Sequence, residues 1–254
     1  MKEQAVSAPP PPRSTDILWT MTPGPLYVHP AEARRQFREF SARPILREDL
    51  ARGALLIALE EYPALDVEGH LKELETLSAR VLERCADNDP GIFTLGHLQA
   101  EMFDVAGFEG DRENYYDVRN AYLNEVIDRK RGMPIQLSII FLHLAHRAGL
   151  SAVGVGLPGH YIVKVQFELN EVYVDPFNRG ETLTLPEIDV LLQKLSGGQV
   201  RLESEMLRGW TERQTLIRVL ANLRNLHMRA GEPKKAASAS ERMQELADAA
   251  PEGM

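Results

Sequence analysis

The residues best suited to chemistry are a histidine and an aspartate at the ends of two neighbouring predicted strands. His160 opens the strand in PGHYIVKV, and Asp175 closes the following strand in EVYVDPF. A helix that begins near Met133 precedes both of them, in RKRGMPIQLS. In nucleophilic sites of this order, the histidine acts as base and the aspartate fixes its tautomer. The free N–H groups of the helix terminus lower a thiol pKa and stabilise an oxyanion.

The sequence does not show which group would attack in such a site. Cys85, the single cysteine, lies in a helical region far upstream, and one cysteine excludes an intramolecular disulfide and a cysteine-based zinc cluster. Ser138 lies four residues after Pro134 on the same helix face, about 6 Å further along the axis. A triad of Ser138, His160 and Asp175 is therefore one hypothesis. Against it, an interior helical serine usually bonds to a carbonyl of the preceding turn.

Without an attacking group, the same residues predict a polar binding pocket. His160, Asp175 and the N–H groups of the turn at 133–135 would line it, with Asn124 and Asn178 as further candidates. Helix N-termini bind carboxylates and phosphates without a catalytic residue. The candidate ligand-binding residues are Asn124, Arg131, Met133, Pro134, Ile135, Gln136 and Asn178.

Basic residues surround the predicted start of this helix. Arg129, Lys130 and Arg131 precede it, and Arg179 lies downstream. They would attract an anion to an otherwise acidic protein, although a solvated basic run at a helix end is the simpler interpretation. Gln136 could orient a water or a substrate amide, but we expect it on the exposed side of the helix.

The segment NYYDVRNAYLNEVIDR, at residues 114–129, is too polar and too aromatic for a plain surface helix. Its tyrosine and asparagine side chains could form a pocket wall or a recognition face. They could equally tie loops to helix ends, and the sequence does not decide between these two interpretations.

Composition and charge argue against several classes of function. A net charge of −8 argues against broad, phosphate-driven nucleic-acid binding. The longest apolar run, at 134–144, is shorter than the about 20 residues that span a bilayer, and MKEQAVSAPPPPRSTD lacks the apolar stretch of a secretory signal. These features and the single cysteine predict a cytoplasmic protein that binds neither nucleic acid nor membrane.

No pattern typical of a cofactor site occurs in the chain. The sequence lacks HExxH, GxGxxG and GxxxxGK[ST], so we predict no metal, no nucleotide and no other cofactor. His143 and His146 are three residues apart on one predicted helix, with no obvious carboxylate partner. We therefore expect them to pack against the core or to extend to its edge.

The elements that must position the site fall into a leader and three regions. Residues 1–29, with four consecutive prolines, predict an extended, disordered leader. Residues 30–112 predict helices, one ending at Pro63, one beginning at the N-cap Asp66 and one over 94–108. Residues 113–200 predict a buried helix with Pro134 in its first turn and Gly149 at its end, followed by the strands SAVGVG, HYIVKVQF and EVYVDPF. Residues 211–254 predict a helical hairpin around GEP.

Long segments of this sequence resemble one protein family. GFEGDRENYYDVRNAYLNEVIDRKRGMPIQLSIIFLHLAHRAGLSAVGVGLPGHYIVKV, followed by VDPFNRG, resembles the SirB-type transglutaminase-like family, as do ALLIALEEYPALDVEGHL and LIRVLANLRNLHMRAGEPKKA. The likeness covers about residues 51–252. It implies an α+β fold with a transglutaminase or cysteine-protease-like core, a helical N-terminal region and a C-terminal helical hairpin. That hairpin resembles one tetratricopeptide repeat, with an ordinary helical hairpin as the equal alternative.

The resemblance also bears on the site. The resemblance implies that the histidine and the aspartate of the superfamily correspond to His160 and Asp175. Aligning the sequence around RAGLSA, however, puts the cysteine of the superfamily at about Pro134. The resemblance also implies that the cysteine is usually absent in this family. We therefore expect a non-catalytic module with a regulatory role that binds a peptide, a protein partner or a small anion. The oligomeric state is not predicted.

Two other classes of function remain open at this point. One is an amide or acyl hydrolase that uses Ser138 as nucleophile or a water activated by His160. The other is a structural scaffold in which the pair formed by His160 and Asp175 is only a buried hydrogen bond.

Overall fold

A computed structural model of the chain describes residues 27–86 and 90–249. Most of the predicted leader at 1–29 lies outside the described residues, as do residues 87–89 and 250–254. From Val28 onward the chain is tied to the fold, because the backbone N–H of Val28 donates to the carbonyl of Pro63 at 2.7 Å.

The first region is helical, as its periodicity predicts. Its helices are α1 (Pro30–Ser41), α2 (Leu50–Leu59), α3 (Val67–Arg84) and α4 (Gly91–Gln99). Asp66 caps α3 through a hydrogen bond from the N–H of Gly69, which confirms the predicted N-cap. A π-helical segment, Ala100–Val105, continues α4 and ends before Gly107, which has a φ of +78°. The helix predicted over 94–108 therefore begins earlier than expected and changes type halfway.

The middle region contains a short parallel strand pair, two helices and an antiparallel sheet. Its elements in chain order are β1 (Glu109–Gly110), α5 (Leu123–Arg129), β2 (Arg131–Gly132), α6 (Pro134–Arg147), β3 (Ser151–Leu157), β4 (His160–Gln166), β5 (Glu171–Asp175) and β6 (Glu181–Leu183). The strands from β3 to β6 pair in sequence order, and β1 pairs with β2. The helix predicted from its Pro134 start and the three predicted strands are all present.

Three helices follow the sheet: α7 (Leu185–Ser196), α8 (Glu212–Arg229) and α9 (Pro233–Asp248). α7 covers the face of the sheet that α6 does not, because its Ile188 and Leu192 pack on Val155 and Ile162. α8 and α9 pack against each other. The buried Arg242 of α9 fixes this helix to the first region by donating to the carbonyl of Ile57 at 2.8 Å.

α6 is the centre of the molecule. Every residue from Pro134 to Ala145 is buried, and the helix packs against β3 and β4 on one side and α3 on the other. One continuous hydrophobic core extends from Ala33 in α1 to Leu246 in α9 around it. Burial of each such leucine or isoleucine contributes about 1.5–3 kcal/mol relative to exposure. The N-terminus of α6 is therefore held in place by the whole core.

The predicted α+β class, with helical ends and a sheet core, is confirmed. The division at residues 112, 200 and 211 and the likeness of α8 and α9 to a tetratricopeptide repeat remain predictions. Among the helices at 27–86 and 90–249, none combines the length and apolar character that crossing a bilayer requires.

Candidate functional site

A hydrogen-bonded histidine and aspartate lie at one end of the antiparallel sheet. His160 is the first residue of β4 and Asp175 the last residue of β5, so antiparallel pairing brings both to the same edge. His160 Nε2 lies 2.8 Å from Asp175 Oδ2. Asp175 is fully buried, and His160 is 7% exposed. The two residues that the sequence singled out are therefore in direct contact.

Asp175 is held by donors on both carboxylate oxygens. Its Oδ1 accepts from the backbone N–H of Phe177 at 3.0 Å, and its Oδ2 accepts from Asn178 Nδ2 at 2.7 Å as well as from His160. Arg112 in turn donates to Asn178 Oδ1. These contacts fix the orientation of the Asp175 carboxyl group toward His160. Asn178, expected to contact a ligand, instead positions the aspartate.

The imidazole of His160 presents one nitrogen to its surroundings. Nε2 is engaged by Asp175, and Phe177 packs edge-on against the ring with a centroid distance of 5.9 Å. Nδ1 has no hydrogen-bond partner among the described residues. This nitrogen is an acceptor in the neutral ring and a donor in the protonated ring.

His160 lies in the wall of a cavity of about 300 Å³. The cavity is enclosed by the segment before α5, the start of α6, the start of β4 and one face of α8. Its lining residues are Tyr115, Tyr116, Met133, Pro134, Ile135, Gly159, His160, Tyr161, Arg218, Asn222, Asn225, Leu226 and Arg229. No cysteine, serine or threonine is among them. Three of the predicted ligand-binding residues do line the cavity: Met133, Pro134 and Ile135.

The first turn of α6, which lines this cavity, has one amide without an acceptor among the described residues. The carbonyl of Met133 already accepts from the N–H groups of Gln136 and Leu137, at 3.1 and 3.2 Å. Pro134 has no N–H. Ile135 N–H is therefore the amide of the first turn without an acceptor among the described residues.

The opposite wall carries polar side chains that the sequence pattern did not predict as site residues. Arg218, Asn222, Asn225 and Arg229 recur at intervals of four, three and four residues, which places them on one face of α8. This spacing was visible in the sequence, but a polar helix face is ordinarily solvated. The tertiary contact with α6 and β4 makes this face part of a cavity.

Neither arginine of this wall has a carboxylate partner among residues 27–86 and 90–249. Arg218 is half-buried and donates only to the carbonyl of Leu157, at 3.4 Å. The Arg229 guanidinium lies 3.9 Å from the ring centroid of Tyr116. Burial raises the pKa of the neighbouring Tyr115, so its phenol stays protonated near neutral pH and remains a hydrogen-bond donor. The cavity is thus positively charged within an acidic protein.

Ser138 does not belong to this cavity. It is fully buried, and its Oγ has no hydrogen-bond partner among the described residues, neither His160 nor a helix carbonyl. The structure does not bring the three members of the hypothetical serine triad together. Cys85 lies at the end of α3, where its Sγ contacts the carbonyl of Val81, and it is not among the lining residues.

Two further predicted ligand-binding residues, Gln136 and Asn124, are buried outside the cavity. The expectation that Gln136 is exposed was wrong, because it is fully buried and its Nε2 donates to the carbonyl of Ala121 at 2.5 Å. Asn124 is buried, and its Oδ1 has no partner among the described residues. Neither side chain lines the cavity.

The basic residues beside α6 are engaged elsewhere. Arg131 pairs with Glu109 at 2.7 Å, Lys130 with Glu73 at 2.7 Å, and Arg179 with Asp104 at 3.1 Å. The Arg129 guanidinium donates to Asn120 Oδ1 at 2.8 Å. None of the four basic residues lines the cavity, so Arg131 is not placed to bind a ligand there.

His143 does have a carboxylate neighbour, contrary to expectation. Its Nε2 lies 3.3 Å from Glu75 Oε1, which also pairs with Arg147. Burial is the main cause that lowers the pKa of His143 below its ordinary value. Among the described residues, no group of three histidine, cysteine or acidic side chains is arranged to hold a metal ion.

Several protein families share sequence with this chain. A family model described as the transglutaminase-like superfamily matches residues 68–221. A "UPF0162 protein" of Xylella fastidiosa (strain 9a5c) is 32% identical over 215 residues, covering 79% of this chain and 73% of that protein. A "UPF0162 protein" of Vibrio cholerae is 30% identical over 183 residues, covering 71% and 67%. "F-box only protein 21" of Homo sapiens is 23% identical over 235 residues, covering 81% and 36%. No solved structure gives a significant match.

The matched segment contains most of the site, including Pro134, His160, Asp175 and Arg218, but it ends before Asn222, Asn225, Leu226 and Arg229 of the cavity wall. It begins in α3, includes α6 and the strands that carry His160 and Asp175, and ends within α8. It covers more than half of the chain, and relatives at about 30% identity cover 71–79% of the chain. This chain therefore belongs to the transglutaminase-like superfamily.

Proposed function

We propose that this protein is a non-hydrolytic module that binds a peptide through its C-terminal carboxylate. One observation carries the proposal: the cavity beside His160 has no cysteine, serine or threonine among its lining residues but contains two arginines without a carboxylate partner in the described part of the chain. A cation in a partly dehydrated cavity gains most from an anionic ligand, because charge-assisted hydrogen bonds are about twice as strong as neutral ones.

The carboxylate fits best at the inner end of the cavity. One oxygen would accept from Ile135 N–H and the other from the half-buried Arg218 guanidinium, a residue type that suits planar carboxylates. Protonated His160 would add a third donor through Nδ1. The peptide chain would then extend across Leu226 and the two tyrosines toward the surface.

Loss of the superfamily nucleophile accounts for binding without hydrolysis. Pro134, at the first position of α6, has neither an attacking atom nor an N–H for an oxyanion. The peptide would come from a protein partner in the cytoplasm, and occupancy of the cavity would report its presence. On the basis of the sequence around His160, we propose that the protein belongs to the SirB-type branch. We also propose that its role is regulatory.

The contact between His160 and Asp175 favours one alternative, a hydrolase in which His160 activates a water. Such an enzyme would use Nδ1 as general base, and Asp175 would stabilise the imidazolium. It would cleave an amide or acyl bond of a substrate in the same cavity. The two functions differ in whether the bound peptide is recovered intact.

Calorimetric titration of N-acetyl-trialanine as free acid and as amide tests the proposal. We expect the acid to bind and the amide to bind at least tenfold more weakly, since a hydrogen bond to a charged group contributes about 1.5–3 kcal/mol. The Arg218→Gln variant should bind the free-acid peptide more weakly than the wild type by a similar factor. Arg208→Gln is the matched control, because its side chain is 80% exposed and outside the cavity, and it should change affinity less than twofold.

Mass spectrometry of the recovered peptide completes the experiment. Intact peptide after prolonged incubation supports the binding module. Cleavage that His160→Ala abolishes would establish the water-activating hydrolase instead. Equal affinity for acid and amide would overturn the proposed carboxylate site.

A further inference from the structure

The two unpaired arginines of the cavity are far apart on α8. Eleven residues separate Arg218 from Arg229, which corresponds to about 16 Å along the helix axis at 1.5 Å per residue. Their guanidinium groups also have different contacts, Arg218 with the carbonyl of Leu157 and Arg229 with the ring of Tyr116. A ligand that contacts both arginines in these positions is served best by two anionic groups.

The surroundings of each arginine give the cavity an inner and an outer end. Arg218 contacts the carbonyl of Leu157, and Leu157 pairs with His160 in the sheet, so Arg218 belongs to the end that contains the histidine. Arg229 is exposed and stacks on Tyr116, whose side chain is 59% exposed. Arg229 therefore marks the rim.

Amide side chains connect the two ends. Asn222 is half-buried and Asn225 exposed, and both line the cavity between the arginines. An asparagine amide donates to a peptide carbonyl and accepts from a peptide N–H, which suits an extended backbone with unpaired polar groups. Amides do not repel the backbone dipoles of a ligand that runs past them in either direction.

We propose that the cavity recognises an acidic C-terminal peptide segment with two carboxylates, one at the chain end and one on an upstream side chain. This inference rests on the proposed function and identifies the ligand class. The terminal carboxylate lies with Arg218, and the upstream carboxylate lies with Arg229. An extended peptide advances about 3.3 Å per residue, so five residues span 16 Å, and the inward reach of the side chains shortens this to about two to four residues.

A glutamate scan of the peptide tests the inference. N-acetyl-hexaalanine acid is compared with peptides that carry one glutamate at each of the five positions before the last residue. We expect affinity to peak with glutamate two to four residues upstream, about fivefold above the alanine peptide, which is the upper end for an exposed ion pair. The Arg229→Gln variant should lose this gain and Arg229→Lys should retain part of it, whereas the control Arg208→Gln, outside the cavity, should keep all of it.

The possible outcomes separate this inference from the proposed function. If no glutamate position improves affinity while the acid still binds through Arg218, the second carboxylate site is wrong and the carboxylate-binding module stands. If neither acid nor glutamate peptides bind, both are wrong. If linear dicarboxylates without a peptide backbone match the best glutamate peptide, the two-carboxylate chemistry holds and its source is a small diacid. A gain that persists in Arg229→Gln would remove Arg229 from the site.

Discussion

Restoring a thiol at Pro134 would test the geometry of the site directly. Pro134 is the first residue of α6 and lines the same cavity as His160. A Pro134→Cys side chain would therefore lie at a helix N-terminus and in the same cavity as the imidazole. The experiment uses a Cys85→Ser background, so that the introduced thiol is the single one in the chain. We expect a loss of at most about 1 kcal/mol in folding stability, because proline stabilises mainly by restricting the unfolded chain.

The expected signal is a lowered thiol pKa. A free thiol with a pKa of about 8.5 is about 3% thiolate at pH 7, whereas a thiol at a helix terminus next to an imidazolium falls to about 3.5–7.5. At a pKa of about 6.5 the thiolate fraction is about 75%. The intrinsic nucleophilicity of the thiolate falls about tenfold when its pKa falls by these two units. The alkylation rate at pH 7 therefore rises only about two- to threefold. The midpoint of the pH profile is therefore the better readout.

The assay is the rate of alkylation by iodoacetamide between pH 5 and 10, followed by mass spectrometry. We expect a midpoint about two units below that of a free thiol, and a return toward about 8.5 when His160→Ala is added. Circular dichroism confirms that each variant is folded. A midpoint near 8.5 in both backgrounds would refute the placement of Pro134 in the same cavity as His160.

Three further predictions concern the buried polar groups around α6. Ser138→Ala should raise the free energy of unfolding in urea by about 1 kcal/mol, because it removes a buried hydroxyl without a partner among the described residues; a loss of stability would show that Ser138 makes an essential contact. Asn178→Ala should lower it by about 1–3 kcal/mol, since it removes one donor from Asp175 and the acceptor of Arg112; a change below about 0.5 kcal/mol would contradict this role. His143 has a folded pKa below its ordinary value of 6.5, so the unfolded chain binds the proton first as pH falls, and stability should decline from about pH 6.5 downward. Urea titrations from pH 7.5 to 5 should show a smaller decline for His143→Gln, and an unchanged decline would exclude His143 as its source.

The sequence predicted the parts of the site that follow from local pattern. Pro134 marks the start of α6 because its fixed φ and missing N–H suit the first helical position. His160 and Asp175 could be placed together because a short connection near Asn170 makes their strands antiparallel neighbours. These features depend on residues close in the chain.

The rest of the site depends on contacts between distant segments. Arg218 and Arg229 lie on a helix face that would be solvated if α8 did not pack beside α6 and β4. Gln136 is buried because the segment before α5 covers the start of α6, which the polarity of that segment does not indicate. α7 was missed although a local signal existed, since Thr184 and Glu187 form a capping box at its start.

The tyrosines of the segment at 114–129 serve both roles that its composition suggested. Tyr115 and Tyr116 line the cavity, as a pocket wall requires. Tyr122 instead ties the segment to α8, because its hydroxyl lies 2.9 Å from His227 Nε2. Residue type alone could not separate these roles, because all three residues are tyrosines and only their tertiary contacts differ.

The most direct test of the account observes the His160 imidazole while the peptide binds. The ring ¹⁵N signals of histidine-labelled protein are recorded during titration with N-acetyl-trialanine acid, and His160→Gln assigns the resonances. We expect a saturable shift of the His160 signals with the acid, no shift with the amide, and no shift in Arg218→Gln, with the peptide recovered intact. Unchanged His160 signals at saturating acid, or the appearance of cleaved peptide, would contradict the claim that this cavity is a non-hydrolytic carboxylate site.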